Sequence, residues 1–346
     1  MFDLLSTVAL STSLPSVRMP GNILGPIAEL MSIIYNTIFN LLHNTSMTGV
    51  LGFAIIIFTL IIKTLLFPLT IKQQKSTYKM QALKPEMDAI RDKYANKKDK
   101  ISQQKMAMEM QDFQKTNGVN MLGGCLPLLL QMPILYALFY VFQNAYVYVD
   151  VIGQIYVDIA NAIIAIPSET RMDVFSPFAA DFVDAYKSSD IIKAQPYLDL
   201  SQTNDLVMLI NYIKYDEWNT ILAQLGTYGA DLQVLLDEKN AIEMFMMIPL
   251  VSNAGLSFPG IMIPLLAGAT TFLQSKITMS QTQTDPDNPA ASVTKTMTYM
   301  MPFMMGFFCI TMPAGLGLYW TVGNIFGVVQ QLVLKNYFQK KFAEVK

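Results

Sequence analysis

Residues 51–68 read LGFAIIIFTLIIKTLLFP, an apolar run with one charge, Lys63, set inside it. A helix that crosses a bilayer takes about 20 mostly apolar residues, and residues 49–71 supply them. Thr59, Lys63 and Thr70 stand at i, i+4 and i+11, so both threonines share the face of the lysine. Two readings of that lysine stay open. It can snorkel to a nearby membrane surface, since Pro68 follows only five residues on. Alternatively it faces a bundle interior or a water-filled cavity, where intramembrane charges usually reside.

Composition widens the reading to the whole chain. Hydrophobic residues make up 52% of the 346 positions and charged ones 14%, with a mean hydropathy of +0.35. That is the profile of an all-α polytopic membrane protein. Cys125 and Cys309 both lie in apolar runs and imply no disulfide framework or metal cluster. His43 is the one histidine, so no His-based catalytic or metal site can be built. No phosphate loop or nucleophile elbow occurs; the chain is read as a non-enzyme without metal or cofactor and without direct DNA binding.

Upstream, residues 1–24 lack a basic start before their weak apolar patch and are not expected to be a signal peptide; no cysteine precedes Cys125, which argues against a lipoprotein anchor. Residues 25–48 hold an amphipathic helix with Ile27, Leu30, Met31, Ile34, Ile38, Leu41 and Leu42 on its apolar stripe and Glu29, Ser32, Asn36, Asn40 and His43 on or beside the polar face. An interfacial helix lying along the membrane is expected.

Downstream, residues 72–118 form a basic helical hairpin. Eleven Lys and Arg face six Asp and Glu in residues 72–117, a net of +5. Met80, Leu83, Met87, Ile90 and Tyr94 make a seam facing Met106, Met110 and Phe113, with a turn at residues 96–100 and Pro85 opening or kinking the first arm. A second span covers residues 119–146. Residues 147–257 are an acidic, α-rich domain: residues 147–240 carry fourteen acids against five bases, a net of −9. Residues 151–167 are apolar enough to suggest a span, but Asp158 and the modest length favour a membrane-proximal helix. Three more spans are expected at 258–279, 297–312 and 316–334, with a loop at 280–296 and a basic tail at 335–346.

Five spans satisfy the positive-inside rule if hairpin and tail are cytoplasmic and the N-terminus and acidic domain are outside. Polar residues recur along the spans: Gln131 in the second, Thr270, Thr271, Gln274 and Ser275 in the third, Tyr319, Trp320, Thr321 and Asn324 in the fifth. Singly each suits a helix–helix hydrogen bond; with Lys63 they suggest a shared hydrated cavity. Met297, Met300, Met301, Met304 and Met305 alternate with Phe303, Phe307 and Phe308 on the fourth span, a soft surface that suits either lipid or partners of varied sequence.

Several motifs carry a resemblance: Phe67-Pro68-Leu69-Thr70 with Gln73; Leu83-Lys84-Pro85-Glu86; the run Asn120-Met121-Leu122-Gly123-Gly124-Cys125-Leu126-Pro127 continuing to Gln131-Met132-Pro133; and Gly317-Leu318-Tyr319-Trp320-Thr321-Val322-Gly323-Asn324. In this order they resemble the YidC-type membrane protein insertases, with their mitochondrial Oxa and chloroplast Albino relatives. The resemblance covers about residues 25–145 and 245–335 and looks like a Gram-positive-type member. It implies a five-helix core around a hydrophilic groove open to cytoplasm and lipid. Lys63 falls where the family usually places an arginine, and Gln274 and Trp320 fall on groove-lining positions. Met121 stands for a usual proline, and the acidic insertion is longer than in most relatives.

The expected function is insertion of nascent membrane proteins into the bacterial plasma membrane, alone or with the Sec translocon. Lys63, Thr59, Gln131, Gln274, Trp320 and Asn324 would line the groove, and Met300, Met301, Met304 and Phe307 the slide for the substrate's apolar segment. Ribosomes and targeting factors would meet the hairpin and tail. The rival readings are a transporter or channel for an anionic solute, and an intramembrane hydrolase. The first predicts internal symmetry and the second a paired nucleophile and base; neither is evident.

Overall fold

The apolar run breaks where its proline says it should. Helix α1 spans Leu24–His43 and α2 spans Val50–Leu65; α3 then runs Phe67–Ala82, bent 57° from α2 across Leu66. Pro68 cannot donate to the preceding turn and its ring crowds the carbonyl four residues back. The expected span at 49–71 is thus two helices, with Lys63 in the last turn of the first. The computed structural model describes residues 24–43, 47–95, 97, 99–118, 126–187, 196–282 and 289–343. The N-terminal segment, positions 96 and 98 of the hairpin turn, the Gly123-Gly124 motif with Cys125, and most of the Asp285-Pro286-Asp287-Asn288-Pro289 turn lie outside these.

The chain divides into two compact units. The first comprises Met1–Phe58, Ile134–Pro264 and Phe308–Tyr319. Its helices include most of α6 (Leu126–Gln143) and α7 (Ala145–Tyr148), then α8 (Asp150–Ala165), α9 (Ser168–Ala185), α10 (Thr203–Tyr212), α11 (Glu217–Leu225) and α12 (Gly229–Glu243), closed by a hairpin of β1 (Met244–Phe245) and β2 (Ile248–Pro249). The core is built on α8. Ile152, Ile155, Tyr156, Ile159, Ala160 and Ile163 are buried, and α7, α10 and α12 pack around that helix. Its apolarity therefore reflects burial within a helical domain; a membrane-proximal placement is not needed to explain it. Ile166 before Pro167 turns extended and ends α8, and Arg171 Nη1 donates to the carbonyls of Ile164 (2.6 Å) and Ile166 (3.0 Å).

One expectation about α1 is corrected. Its buried face is Ala28, Met31, Ser32, Tyr35, Ile38 and Phe39, while Leu30, Ile33 and Leu41 are exposed. The polar face is partly an inner face: Ser32 Oγ donates to Tyr148 O (3.0 Å), and the Asp150 amide donates to Asn36 Oδ1 (3.2 Å) at the start of α8. Two short polar side chains one helical turn apart capture the backbone of the α7–α8 turn, which a stripe of leucines could not do.

The second unit comprises Thr59–Pro133, Leu265–Phe307 and Trp320–Lys346. It holds α3, then α4 (Lys84–Asp92) and α5 (Lys100–Thr116) of the basic hairpin, and the greater part of α13 (Met262–Thr282), α14 (Pro289–Thr311) and α15 (Ala314–Ala343). Pro85 sits in the first turn of α4, where its missing N–H is harmless. Asp99 caps α5 by accepting from the Ser102 amide (2.8 Å). Glu109 closes the hairpin, accepting from Lys93 Nζ (2.8 Å) and Tyr94 OH (2.8 Å).

The five expected spans map onto α2, α6, α13, α14 and α15, with shifted ends. The third begins at Met262 and reaches Thr282, the fourth begins at Pro289, and the fifth runs unbroken through the basic tail to Ala343. Among the described residues no single helix is long and apolar enough to cross a membrane; α2 with α3 passes as a bent pair, and Thr298–Thr311 is a shorter apolar stretch.

Candidate functional site

Glycines on α15 set up the site. Gly323 and Gly327 lie one turn apart, and side chains from two other helices of the same unit press on them. A Cβ on Gly323 would sit 2.9 Å from Lys63 Cε, 3.4 Å from Nζ and 3.9 Å from Thr59 Cγ2. A Cβ on Gly327 would sit 2.5 Å from Gln274 Nε2. Neither position has room for a larger residue unless these side chains move, so hydrogen at Cα is what lets Lys63 and Gln274 lie against the helix backbone.

Between the glycines stands Asn324, which is buried. In one orientation its amide donates to Thr271 Oγ1 (2.8 Å) and Thr270 Oγ1 (3.2 Å). Turned over, it donates to Gln274 Oε1 (2.7 Å) and accepts from Trp320 Nε1 (3.1 Å). Thr270 and Thr271 meet Asn324 either way; Gln274 joins only in the second orientation, the one that satisfies both ends of the amide. Trp320 Nε1 also reaches Thr271 Oγ1 (2.9 Å), and Thr271 itself donates to Ala267 O (2.6 Å). Further along, Gln331 Nε2 donates to Thr278 Oγ1 (3.0 Å) and Gln330 Nε2 to Thr70 Oγ1. Tyr78 stacks on Phe338 at 5.4 Å, with Leu334 completing a small apolar cluster.

Lys63 is half-buried, and no carboxylate or hydrogen-bond acceptor engages its ammonium among the described residues. Thr59, one turn earlier on the same face, is fully buried. The structure thus brings together Lys63 with Thr59 at Gly323, and Gln274, Trp320 and Asn324 in one network. Gln131 is carried by α6, half-buried, and takes no part in the bonds just described. The glycines are what sequence reasoning missed; both lie within or beside the Trp320–Asn324 motif, but only the packing gives them a role.

On α14, Met300, Phe303, Met304 and Phe307 are exposed. They stand at i, i+3, i+4 and i+7, a single helix face. Met301, about 100° round, is half-buried. Gly268 on α13 lets the Pro302 carbonyl of α14 come within 3.3 Å of where its Cβ would stand.

The family model described as 60Kd inner membrane protein matches residues 42–341. Membrane protein insertase YidC 2 of Bacillus anthracis is 31% identical over 82% of this chain and 72% of its own length. Membrane protein insertase YidC of Oceanobacillus iheyensis is 29% identical over 91% and 89%, and membrane protein insertase MisCA of Bacillus subtilis is 27% identical over 85% and 73%. With a family model matching most of its length, the chain belongs to the 60Kd inner membrane protein family.

Proposed function

We propose that the chain is a membrane protein insertase of the bacterial plasma membrane, taking nascent membrane proteins as substrates and working within the lipid bilayer. The kinship with proteins named insertases supports this. Nothing in it favours a transporter for an anionic solute, and the rival reading is set aside.

The mechanism rests on one observation: Lys63 is held in the last turn of α2, against Gly323, with no counter-charge among the described residues. A charge kept in an apolar helix without a partner is expensive, and its use is to meet something that arrives. In this reading α2, α6, α13, α14 and α15 are five spans around a hydrated groove lined by Lys63, Thr59, Gln131, Gln274, Trp320 and Asn324. The hydrophilic tail of a substrate enters from the cytoplasm and is solvated there. Acidic tails gain most from Lys63. The apolar segment of the substrate moves along Met300, Phe303, Met304 and Phe307 into lipid. Flexible thioethers adapt to segments of differing shape. Substrate partitioning supplies the drive, helped by a membrane potential worth about 2.3 kcal/mol per charge per 100 mV.

The charge pattern orients the chain with the hairpin and C-terminus cytoplasmic and the N-terminus and acidic domain outside. The hairpin and the basic end of α15 would receive ribosomes or targeting factors, and the insertase would act alone or beside the Sec translocon.

The test is insertion into proteoliposomes of one substrate bearing an acidic and then a neutral translocated tail. Wild-type protein and Lys63→Arg should insert both; Lys63→Ala should fail selectively on the acidic tail, and Lys63→Glu should be worst. Equal insertion of the acidic tail by wild type and Lys63→Ala would return Lys63 to simple snorkelling.

A further inference from the structure

The segment leaving the acidic domain has a chemistry of its own. Residues 244–262 contain no Asp, Glu, Lys or Arg, although residues 147–240 just before them carry fourteen acids. The segment opens with the β1–β2 hairpin, whose two turn residues are Met246 and Met247, at φ +50° and +67°. Two-residue hairpin turns of this kind favour Asn-Gly, which adopts left-handed backbone readily; methionine does not. Backbone strain of this sort concentrates where a function holds it. Both side chains point away from the core, 78% and 70% exposed, and Leu256 (68%) and Phe258 (78%) follow in the same segment.

The root of the hairpin is fixed on the first apolar helix. The Phe245 ring fills the space over Gly52, where a Cβ would lie 2.2 Å from it, and meets Phe53 edge-on at 5.3 Å. The Gly49 amide donates to Ala241 O (2.9 Å). The tip therefore emerges beside the N-terminal turn of α2, where the exposed face of that helix begins with Phe53 and Ile57.

We infer that the Met246-Met247 turn, with Leu256 and Phe258, is a lipid anchor that seats in the outer leaflet just below the headgroups and ties the acidic domain to the bilayer. The inference rests on the outward orientation proposed above. Lipid is the occupant because the tip continues the exposed apolar face of α2 and because the whole segment is uncharged. An acidic body gains no attraction from an anionic lipid surface, so contact has to come from apolar side chains. Methionine suits irregular acyl chains better than a rigid ring.

The experiment places an environment-sensitive fluorophore on Met247→Cys, with Cys125 and Cys309 replaced by alanine, in right-side-out vesicles of phosphatidylcholine and phosphatidylglycerol. A second probe on Tyr228→Cys, exposed in the same domain, is the aqueous reference. The Met247 probe should be quenched severalfold more strongly by lipids labelled near the headgroup than the Tyr228 probe, and less by external iodide. External iodide quenching equal to that at Tyr228, without lipid quenching, overturns the anchor and leaves the orientation standing. Iodide access only from the lumen overturns both. Shielding from iodide that appears only when a substrate polypeptide is added, without lipid quenching, assigns the tip to protein and also overturns it. As a second variant, Met246→Asn with Met247→Gly keeps the turn and removes the anchor. A probe on Leu256→Cys should then lose its lipid quenching; unchanged quenching there would mean that the methionines anchor nothing.

Discussion

Lys239 and Lys63 both lie among apolar helices, and their surroundings differ completely. Lys239, in the acidic domain, is buried with its Nζ 2.6 Å from Glu243; the second oxygen of Glu243 accepts from Tyr156 OH at 2.9 Å, and the Tyr156 ring lies 5.3 Å from the ammonium. Burial first, and then the nearby carboxylate, push the Tyr156 phenol well above its usual range, so it remains a donor. Every group there is closed upon another. Lys63 ends against the backbone of Gly323, where Thr59 also leans. A paired buried lysine belongs to the fold. Lys63 has no such partner among the described residues, which is the contrast that the proposed groove builds on.

The largest expected effect tests the closed site. Glu243→Ala leaves Lys239 charged and unpaired and should destabilise the acidic domain by about 3–5 kcal/mol; urea unfolding followed through the buried Trp218 would measure it. Replacing Lys239 by Met together with Glu243 by Leu should recover most of that loss, since an apolar pair of similar volume is often neutral. A small loss for Glu243→Ala would erase the contrast between the two lysines.

Next comes the open site. Gly323→Val puts branched carbons where Lys63 Cε now lies, displacing a flexible side chain. Insertion of an acidic-tailed substrate should fall roughly tenfold, equivalent to about 1.4 kcal/mol, while neutral-tailed insertion falls less. Equal losses on both tails would mean the glycine matters only for packing. Lys63→Ala should leave unfolding unchanged or make it harder, because a charge leaves an apolar helix; the same urea titration on Lys239→Ala should show a clear loss.

The smallest effect concerns the exposed clasp of the hairpin. Hydrogen bonds from Lys93, then Tyr94, hold the Glu109 carboxyl below its ordinary 4.5, and Glu109 in turn raises Lys93. The clasp is therefore fully present above pH 4.5 and is lost as pH falls through the lowered value. Hydrogen exchange in α4 should quicken over that acid range in the wild type and show no such step in Glu109→Gln.

Much of this was legible beforehand, for reasons that differ by region. The hairpin was readable because its seam, its charges and Pro85 all lie close in sequence. Its seam residues Met80, Leu83, Met87 and Ile90 are half-buried and Tyr94 is buried. The break at Leu66 was signalled by Pro68, but hydropathy over the run outweighed it. The inward face of α1 was hidden because Ser32 and Asn36 bond to backbone more than a hundred residues away. Likewise Lys239 and Glu243 form an ordinary i, i+4 pair in sequence, and only Tyr156, 87 residues before Glu243, makes them a closed site. Gln274 and Trp320 could be named from the resemblance and Asn324 from the polar segment of the fifth span, whereas Gly323 and Gly327 acquire meaning only from what leans on them.

That leaning bears on how force would travel. Helix α15 runs unbroken from Ala314 to Ala343, so Phe338, stacked on Tyr78, and Trp320 share one rod about 27 Å apart at 1.5 Å per residue. Glycines are where a helix is most easily flexed, and on this stretch they are Gly323 and Gly327. A load applied at the basic end would thus be delivered as a bend at the two points where Lys63 and Gln274 rest, so the shaft is also the spring beneath the lysine.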